Sequence, residues 1–281
     1  MKTLTLPCPA KINLFLHVTG QRSDGYHNLQ TLFQLLDCGD ELTLVETDDE
    51  RLVLQQDGID MPAEHNLVYR AAALLRVSGK STVAHKGAHI TLRKHLPSGG
   101  GLGGGSSDAA STLLGLNQLW GLGHNIDRLA EMGLELGADV PLFVRGFSAW
   151  AEGVGEQLTP VDIPPAWYLI ARPDCAISTA QIFSNRQLTR NTPPITIAAF
   201  FAGGTRNDCQ AVARSLHPEV DKLLNWLENF GHARMTGSGA CCFLSFQDRA
   251  AAEAVLAQLP DEWRGWIARG VNHSPVHQLL H

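Results

Sequence analysis

A run of glycines between Pro97 and Asp108 restricts the fold of this chain more than any other feature of its sequence. The stretch reads P-S-G-G-G-L-G-G-G-S-S-D, with six glycines in seven positions. Glycine allows positive φ and close approach of the backbone to a ligand, because it has no Cβ. Residues with helical spacing follow at once, so we expect a helix with Ser106 or Ser107 as its N-cap. A helix N-terminus behind a glycine loop is a ready phosphate site.

Two commoner phosphate motifs fit this stretch less well. The sequence G-x-G-x-x-G begins at Gly99, but dinucleotide folds need an acidic residue about 20 positions later, where this chain has His124. The six-residue span of a P-loop is present, yet Ser106 stands where its lysine must be. A flexible linker is the third alternative, and the helix that follows without a break argues against it.

The first strand carries polar residues on one face. From Pro9 to Val18 the residues alternate for most of the segment, which predicts a strand with Lys11, Asn13 and His17 on the same side. Taken alone, this side is equally well explained as a solvated strand face.

Two more segments combine turn signals with polar groups. Asp139 follows a helix that we expect to begin near Asn125 and end at Gly137, and Pro141 suits the start of the next helical turn. Asp139 could simply be a helix cap. The segment R-M-T-G-S-G-A-C-C-F from Arg234 is a second glycine loop that runs into an apolar strand.

Together and in this order, these segments resemble the GHMP small-molecule kinase superfamily, which includes galactokinase, homoserine kinase and mevalonate kinase. The resemblance covers nearly the whole chain. It implies an α+β fold with two domains, a ribosomal-S5-like ATP-binding domain at residues 1–160 and a ferredoxin-like domain at 161–281, with the active site in the cleft between them. A closer resemblance, to one kind of kinase within the superfamily, is carried by P-A-K-I-N-L-F-L from Pro9, D-G-Y-H from Asp24, L-P-S-G-G-G-L-G-G-G-S-S-D-A-A from Leu96, G-A-D-V-P-L-F from Gly137 and A-E-G-V-G-E from Ala151.

The resemblance implies transfer of the γ-phosphoryl group of ATP to a substrate hydroxyl, with ATP and Mg²⁺ as cofactors. Asp139 is the implied base and Lys11 its charged neighbour, which would keep the carboxylate ionised and add positive charge near the transferred group. Ser107 is the implied protein ligand of Mg²⁺. The implied ATP-binding residues are Lys94, Pro97, Ser98, Gly99, Gly100, Gly101, Leu102, Gly103, Gly104, Gly105, Ser106, Ser107 and Asp108.

Within the superfamily, the chain most resembles kinases of a cytidine-diphosphate-linked polyol. Tyr26 and His27 then offer a stacking face and a hydrogen-bonding ring for the base, and Phe183 closes its opposite face. Asn13, on the strand face of Lys11, could reach the polyol or a phosphate. From the residues alone, Tyr26 and Phe183 are more often core aromatics, and Lys94 is more often an exposed loop lysine.

Composition limits the partners. The net charge of −6 and the pI near 6.0 argue against a nucleic-acid partner. No segment has the pattern of a secretory signal or a membrane span. Six cysteines without C-x-x-C spacing favour the reduced cytoplasm. We expect a cytoplasmic enzyme, monomeric or a weak homodimer, with a small-molecule substrate.

Three other functions fit the sequence less well. Another kinase of the same superfamily would be expected to lack the D-G-Y-H and triple-glycine blocks. A catalytically silent nucleotide sensor would be expected to have lost Lys11 or Asp139. A dinucleotide oxidoreductase lacks its acidic residue. The histidine pairs His85/His89 and His273/His277 have no neighbouring Cys or carboxylate in sequence to complete a zinc shell.

Periodicity also predicts most of the secondary structure. The predicted elements are strands up to Gln56, a helix at 66–77, a strand at 89–93, strands near 147–151 and 167–172, and then a smaller α+β layer with a helix at 210–230, a strand at 234–246, a helix at 249–259 and a strand at 263–271.

Overall fold

The computed structural model describes residues 2–56, 61–79 and 86–280. Its strands are β1 (Thr3–Gln21), β2 (His27–Thr47), β3 (Leu52–Gln56), β4 (Gly87–Arg93), β5 (Ala149–Glu152), β6 (Gln157–Pro160), β7 (Trp167–Arg172), β8 (Arg234–Met235), β9 (Cys242–Phe246) and β10 (Arg264–Val271). Its helices are α1 (Leu67–Ser78), α2 (Gly104–Trp120), α3 (Ile126–Leu136), α4 (Val140–Arg145), α5 (Thr179–Ser184), α6 (Ile197–Ala202), α7 (Asp208–Leu216), α8 (Pro218–Leu227), α9 (Arg249–Leu256) and α10 (Pro275–Leu279). The expected α+β class is confirmed.

A long hairpin of β1 and β2 forms the centre of the molecule. The two strands have 19 and 21 residues and pair antiparallel around the Asp24-Gly25 turn, where Gly25 has a φ of 89°. The pairing register shifts between Pro9 and Lys11 and again between Asn13 and Leu16. Such bulges redirect side chains locally, and here they flank the polar residues of the strand.

The strands form one sheet that runs through both halves of the chain. Its main path is β3-β4-β2-β10-β7-β9-β8, with β1 and β5 also paired to β2 and β6 paired to β5. The β3–β4 pair is parallel and the other pairs are antiparallel. A short pairing joins the halves, with Gly270 opposite Leu36 and Val271 opposite Leu35.

Three apolar cores hold the structure, and β1 contributes to each. Leu6 belongs to the core under α1, α2, α3 and α4. Ile12 and Phe15 belong to a central core that also contains Tyr168 of β7. Leu16 and Val18 complete the core of the carboxy-terminal half, which includes buried residues of α7, α8 and β9. The strand therefore anchors its middle section, where Lys11 and Asn13 lie, in packing on both sides.

Two predicted elements of the carboxy-terminal half are wrong. The single helix expected at 210–230 is divided at His217, which has φ −130° and ψ 92° because Pro218 excludes helical backbone from the residue before it. The strand expected at 234–246 is two strands, since a turn containing Gly237 and Gly239 at positive φ separates β8 from β9. The other predicted helices and strands are present within a few residues.

In the part of the chain that the structure describes, none of the helices has both the length and the apolar character needed to cross a membrane.

Candidate active site

A cavity of about 1060 Å³ lies where the glycine loop, the middle of β1 and the carboxy-terminal half meet. Its size is at the upper end for small-molecule sites, which suits two ligands bound side by side. Ten of the residues predicted from sequence line it, namely Lys11, Asn13, Tyr26, His27, Gly99, Gly101, Gly103, Ser106, Asp139 and Phe183.

The two predicted catalytic residues form an ion pair in the wall of this cavity. Lys11 Nζ lies 3.4 Å from Asp139 Oδ2, although the residues are far apart in sequence. The side chain of Lys11 is 4% exposed and that of Asp139 is 32% exposed. Asp139 stands at the N-cap position of α4 but makes no side-chain capping bond, so the cap alternative does not account for its carboxylate.

Hydrogen bonds fix the position of Lys11. Its ammonium donates to Asn13 Oδ1 at 2.7 Å, and Asn13 Nδ2 donates to Thr31 Oγ1 at 2.9 Å. The backbone N–H of Asn13 donates to Thr236 Oγ1 at 2.9 Å. Lys11 and Asn13 are 3% and 2% exposed, so this side of β1 is not a solvated strand face. Thr236 was missed by the sequence analysis, which treated the loop before Phe243 only as a turn.

The glycine loop rests on that same turn. Gly99, Gly101 and Gly103 have φ of 67°, 75° and 72°. The carbonyl of Gly101 accepts from Thr236 Oγ1 at 3.1 Å, and a Cβ at Gly101 would lie 2.2 Å from the Thr236 carbonyl oxygen. Glycine is required here by both conformation and contact.

Helix α2 begins earlier than the predicted serine cap. Gly103 is its N-cap in the left-handed conformation, no side chain caps the helix, and Gly104 is the first helical residue. The expectation of Ser106 or Ser107 at the cap was wrong, because a glycine without a Cβ can make this turn inside the run. The helix therefore begins three or four positions earlier than expected, and its first-turn N–H groups belong to the glycine run itself.

The serines after the glycines differ in accessibility. Ser106 lines the cavity, whereas Ser107 is fully buried and its hydroxyl has no hydrogen-bond partner among the described residues. The predicted ATP-binding residues that do not line this cavity are Lys94, Pro97, Ser98, Gly100, Leu102, Gly104, Gly105, Ser107 and Asp108.

Lys94 is bound by two carboxylates below the start of α2. Its ammonium contacts Asp40 Oδ2 and lies 2.6 Å from Asp108 Oδ2. Burial raises the pKa of Asp108 to about 7, with Asp40 adding to this and Lys94 opposing it. The side chain of Lys94 is 16% exposed, so the alternative interpretation of Lys94 as an exposed loop lysine is wrong. It joins β2, the segment after β4, and α2.

Aromatic and basic residues gather in the part of the cavity beside the turn between β1 and β2, away from Lys11. Tyr26 is 66% exposed, so it is not a core aromatic. The rings of His27 and Phe183 lie 5.2 Å apart at 37°. Burial and the nearby Arg190 lower the pKa of His27. Arg190 also lines the cavity and was missed by the sequence analysis, because a lone arginine in a T-R-N-T segment carries no local signal.

The remaining histidine pairs lie elsewhere. His85 is outside the described residues, His89 is on β4, and His273 and His277 are near α10.

Known proteins match this chain along nearly its whole length. The family profile described as GHMP kinases N terminal domain matches residues 66–147, and the profile described as GHMP kinases C terminal matches residues 195–265. A 4-diphosphocytidyl-2-C-methyl-D-erythritol kinase of Hahella chejuensis is 51% identical over 98% of this chain and 96% of its own length. The protein of the same name from Marinobacter nauticus is 52% identical over 99% and 97%.

Solved structures match as well. A crystal structure of 4-(cytidine 5'-diphospho)-2C-methyl-D-erythritol kinase has a TM-score of 0.80 and 31% identity, covering 95% of this chain and 99% of that one. A crystal structure of mevalonate kinase has a TM-score of 0.71 at 13% identity, with 96% and 100% coverage, which shows a shared fold alone.

Proposed function

This chain belongs to the 4-diphosphocytidyl-2-C-methyl-D-erythritol kinases of the GHMP kinase family, and we propose how its residues divide the work of that reaction. The enzyme transfers the γ-phosphoryl group of ATP to a hydroxyl of 4-diphosphocytidyl-2-C-methyl-D-erythritol, giving the 2-phosphate and ADP. The reaction supplies the non-mevalonate route to isoprenoid precursors. The observation that carries the proposal is the Lys11–Asp139 pair, which faces the glycine loop in one cavity.

Asp139 is the proposed base. The substrate hydroxyl gives its proton to the Asp139 carboxylate, its oxygen forms a bond to the γ-phosphorus, and the bond from that phosphorus to the β–γ bridging oxygen breaks to release ADP. The side chain of Asp139 is the more exposed of the pair, which supports contact with a ligand. Phosphoryl transfer depends mostly on positioning and on stabilising charge, so the base adds to these effects and does not replace them.

Lys11 and the loop are proposed to stabilise the phosphates. The ammonium of Lys11 is held by Asn13 and Asp139, so its charge is fixed in place before the substrate arrives. The glycine loop and the N-terminus of α2 offer backbone N–H groups to the nucleotide phosphates. Lys94, being held by Asp40 and Asp108, is proposed to act at longer range by fixing the start of α2.

Mg²⁺ is the proposed metal, brought with the ATP phosphates. Ser107 stays its proposed ligand, since its buried hydroxyl has no hydrogen-bond partner among the described residues and oxygen is the donor that Mg²⁺ prefers. When bound, the ion neutralises charge that develops on the phosphates.

The cytidine is proposed to bind at the aromatic end of the cavity. Tyr26 and Phe183 would stack on the base, and His27 would hydrogen-bond its edge, while Asn13 would reach the polyol or a phosphate. The exposure of Tyr26 and the proximity of the His27 and Phe183 rings support this arrangement. We also propose the division into domains at residue 160 and a cytoplasmic location, the second supported by six free cysteines.

Incubation with labelled ATP tests the proposal. The acceptors are 4-diphosphocytidyl-2-C-methyl-D-erythritol, mevalonate, homoserine and galactose, and the products are identified by mass spectrometry and phosphorus NMR. We expect phosphate only on the cytidine compound, at its 2-hydroxyl. Label on one of the other three acceptors alone would overturn the substrate assignment, and Asp139→Asn serves as the control for contaminating kinases.

A further inference from the structure

Arg190 makes a set of hydrogen bonds that reaches from one wall of the base pocket to the other. Its Nε donates to His27 Nε2 at 3.0 Å. Its terminal nitrogens donate to the carbonyls of Phe183 and Asn185, each at 2.8 Å, and of Leu188 at 3.1 Å. One guanidinium therefore ties the segment after α5 to the first residue of β2, which is 163 positions away.

The contact with His27 determines where the imidazole proton is. A guanidinium has donors and no acceptor, so His27 Nε2 must accept and cannot carry a hydrogen. In the neutral ring the proton is then on Nδ1, which makes no hydrogen bond within the described part of the chain. The positive charge of Arg190 also disfavours a second proton on the ring, in agreement with the lowered pKa of His27.

We propose that Arg190 is a positioning residue that fixes His27 as the Nδ1–H tautomer, so that the ring donates a hydrogen bond to the edge of the pyrimidine. This inference rests on the proposed function for the identity of the ligand. Cytosine offers adjacent acceptors at O2 and N3, whereas uracil has a donor at N3. A fixed donor therefore favours cytosine, because against uracil N3–H two donors would oppose each other.

The arrangement also links the two walls of the pocket. Arg190 holds the backbone of Phe183 and the ring of His27 at once, and these rings are in contact with each other. Loss of the guanidinium would free the orientation of both groups. A residue of purely structural importance for the 183–190 segment would lower stability without changing the tautomer of His27.

The test begins with the wild-type protein without ligand. Histidine is labelled with ¹⁵N, and two-bond proton–nitrogen correlation spectra report which ring nitrogen carries the proton. The His27 signal is assigned by its loss in His27→Gln. We expect the Nδ1–H form in the wild type and, in Arg190→Met, a shift toward the Nε2–H form that free histidine prefers. The exposed Arg186→Met in the same segment is the matched control and should leave the signal unchanged.

Kinetics provide the second readout. Arg190→Met should raise KM for the cytidine substrate roughly 3- to 10-fold, as expected for one lost hydrogen bond, with KM for ATP unchanged. Its preference for the cytidine over the uridine substrate should fall by a similar factor. Arg190→Lys keeps the charge and a donor nitrogen but not the planar guanidinium, so it should restore part of the Nδ1–H signal and part of the preference.

The possible failures are separable. A wild-type His27 signal in the Nε2–H form overturns the inference whatever the enzyme phosphorylates, and it needs no variant that might misfold. An unchanged cytidine preference in a folded Arg190→Met protein also overturns it. If the wild type has the Nδ1–H form but does not phosphorylate the cytidine compound, the proposed function fails while the positioning of His27 by Arg190 is supported.

Discussion

At the scale of single residues, the site depends on a carboxylate and an ammonium that come from distant parts of the chain. Lys11 is buried in the sheet and held by Asn13, whereas Asp139 is partly open to the cavity. The more accessible member of the pair is the one that can approach a substrate hydroxyl. The buried member keeps a fixed charge beside it.

Replacing Asp139 should affect turnover more than binding. Asp139→Asn keeps the size of the side chain and removes the base, so we expect kcat to fall about 10²- to 10⁴-fold, nearer the lower value where positioning dominates. The dissociation constant of ATP should stay within about twofold. Rapid-quench kinetics and calorimetry measure the two quantities. Asp162→Asn, at an exposed position, is the control, and wild-type kcat in Asp139→Asn would exclude Asp139 as the base.

Tyr26 allows a test of base recognition. Stacking of a base on an aromatic ring contributes roughly 1–3 kcal/mol, so Tyr26→Ala should raise KM for the cytidine substrate about 5- to 150-fold. Because Tyr26 is 66% exposed, the fold should not suffer. KM for ATP should barely change. Phe201→Ala, another exposed aromatic that does not line the cavity, should leave both constants unchanged. Unaltered KM in Tyr26→Ala would remove this residue from the base pocket.

At the scale of elements, the glycine loop and the turn after β8 form one unit. The carbonyls of Gly99 and Gly100 accept from Ala240 and Cys241, each at 3.2 Å, while Gly101 packs on Thr236. The loop conformation is therefore set by contacts with the carboxy-terminal half as well as by the freedom of glycine.

Two alanine substitutions separate these contributions. Gly99 and Gly101 both have positive φ, but a Cβ at Gly99 meets nothing within 4 Å, while one at Gly101 lies 2.2 Å from the Thr236 carbonyl. Gly99→Ala should cost about 1–2 kcal/mol for the left-handed conformation. Gly101→Ala should cost clearly more and also weaken ATP binding. Urea unfolding and calorimetry measure these effects, and equal losses in the two variants would show that the contact is unimportant.

Helix boundaries were predicted well from sequence where a single local signal, such as an N-cap side chain or a terminal glycine, sets the boundary. Asn125 and Gly137 bound α3 as expected, because an N-cap side chain and a terminal glycine are readable from sequence. The start of α2 could not be placed this way, since several glycines in a row can each make the left-handed turn. The break at Pro218 was readable and was overlooked in favour of the apolar periodicity on both sides.

At the scale of the whole molecule, the site was predicted largely from the family resemblance. The residues alone left Lys11 as a possible surface residue and Asp139 as a possible cap, and only tertiary structure brings them within 3.4 Å. Arg190 and Thr236 could not be found, because their importance comes from contacts with His27 and Asn13 across 163 and 223 positions. Long-range contacts of single polar residues leave no periodic pattern.

The six free thiols report on the integrity of the whole fold. Burial raises the pKa of every one of them, with values of about 11 for Cys38 and about 12 for Cys209 and Cys241. Because the thiolate is the reactive form, we expect slow alkylation by iodoacetamide at pH 8. Cys38 and Cys175 are half-buried and should react first, and the four buried thiols should react only on unfolding. Mass spectrometry after timed pulses measures this order, which early labelling of Cys241 or Cys242 would contradict.

The strand that carries Lys11 limits how a gene of this type can be divided or recombined. Because β1 supplies side chains to all three cores, a cut after residue 160 would leave the carboxy-terminal piece without Leu16 and Val18, which fill its interior. If that piece is exchanged between relatives, the incoming segment therefore lacks part of its own core. The incoming segment has to pack against residues encoded at the opposite end of the gene. Amino acid changes near residue 16 should therefore track changes near residue 208 during divergence, because Leu16 and Val18 bond to Arg206 and Asp208.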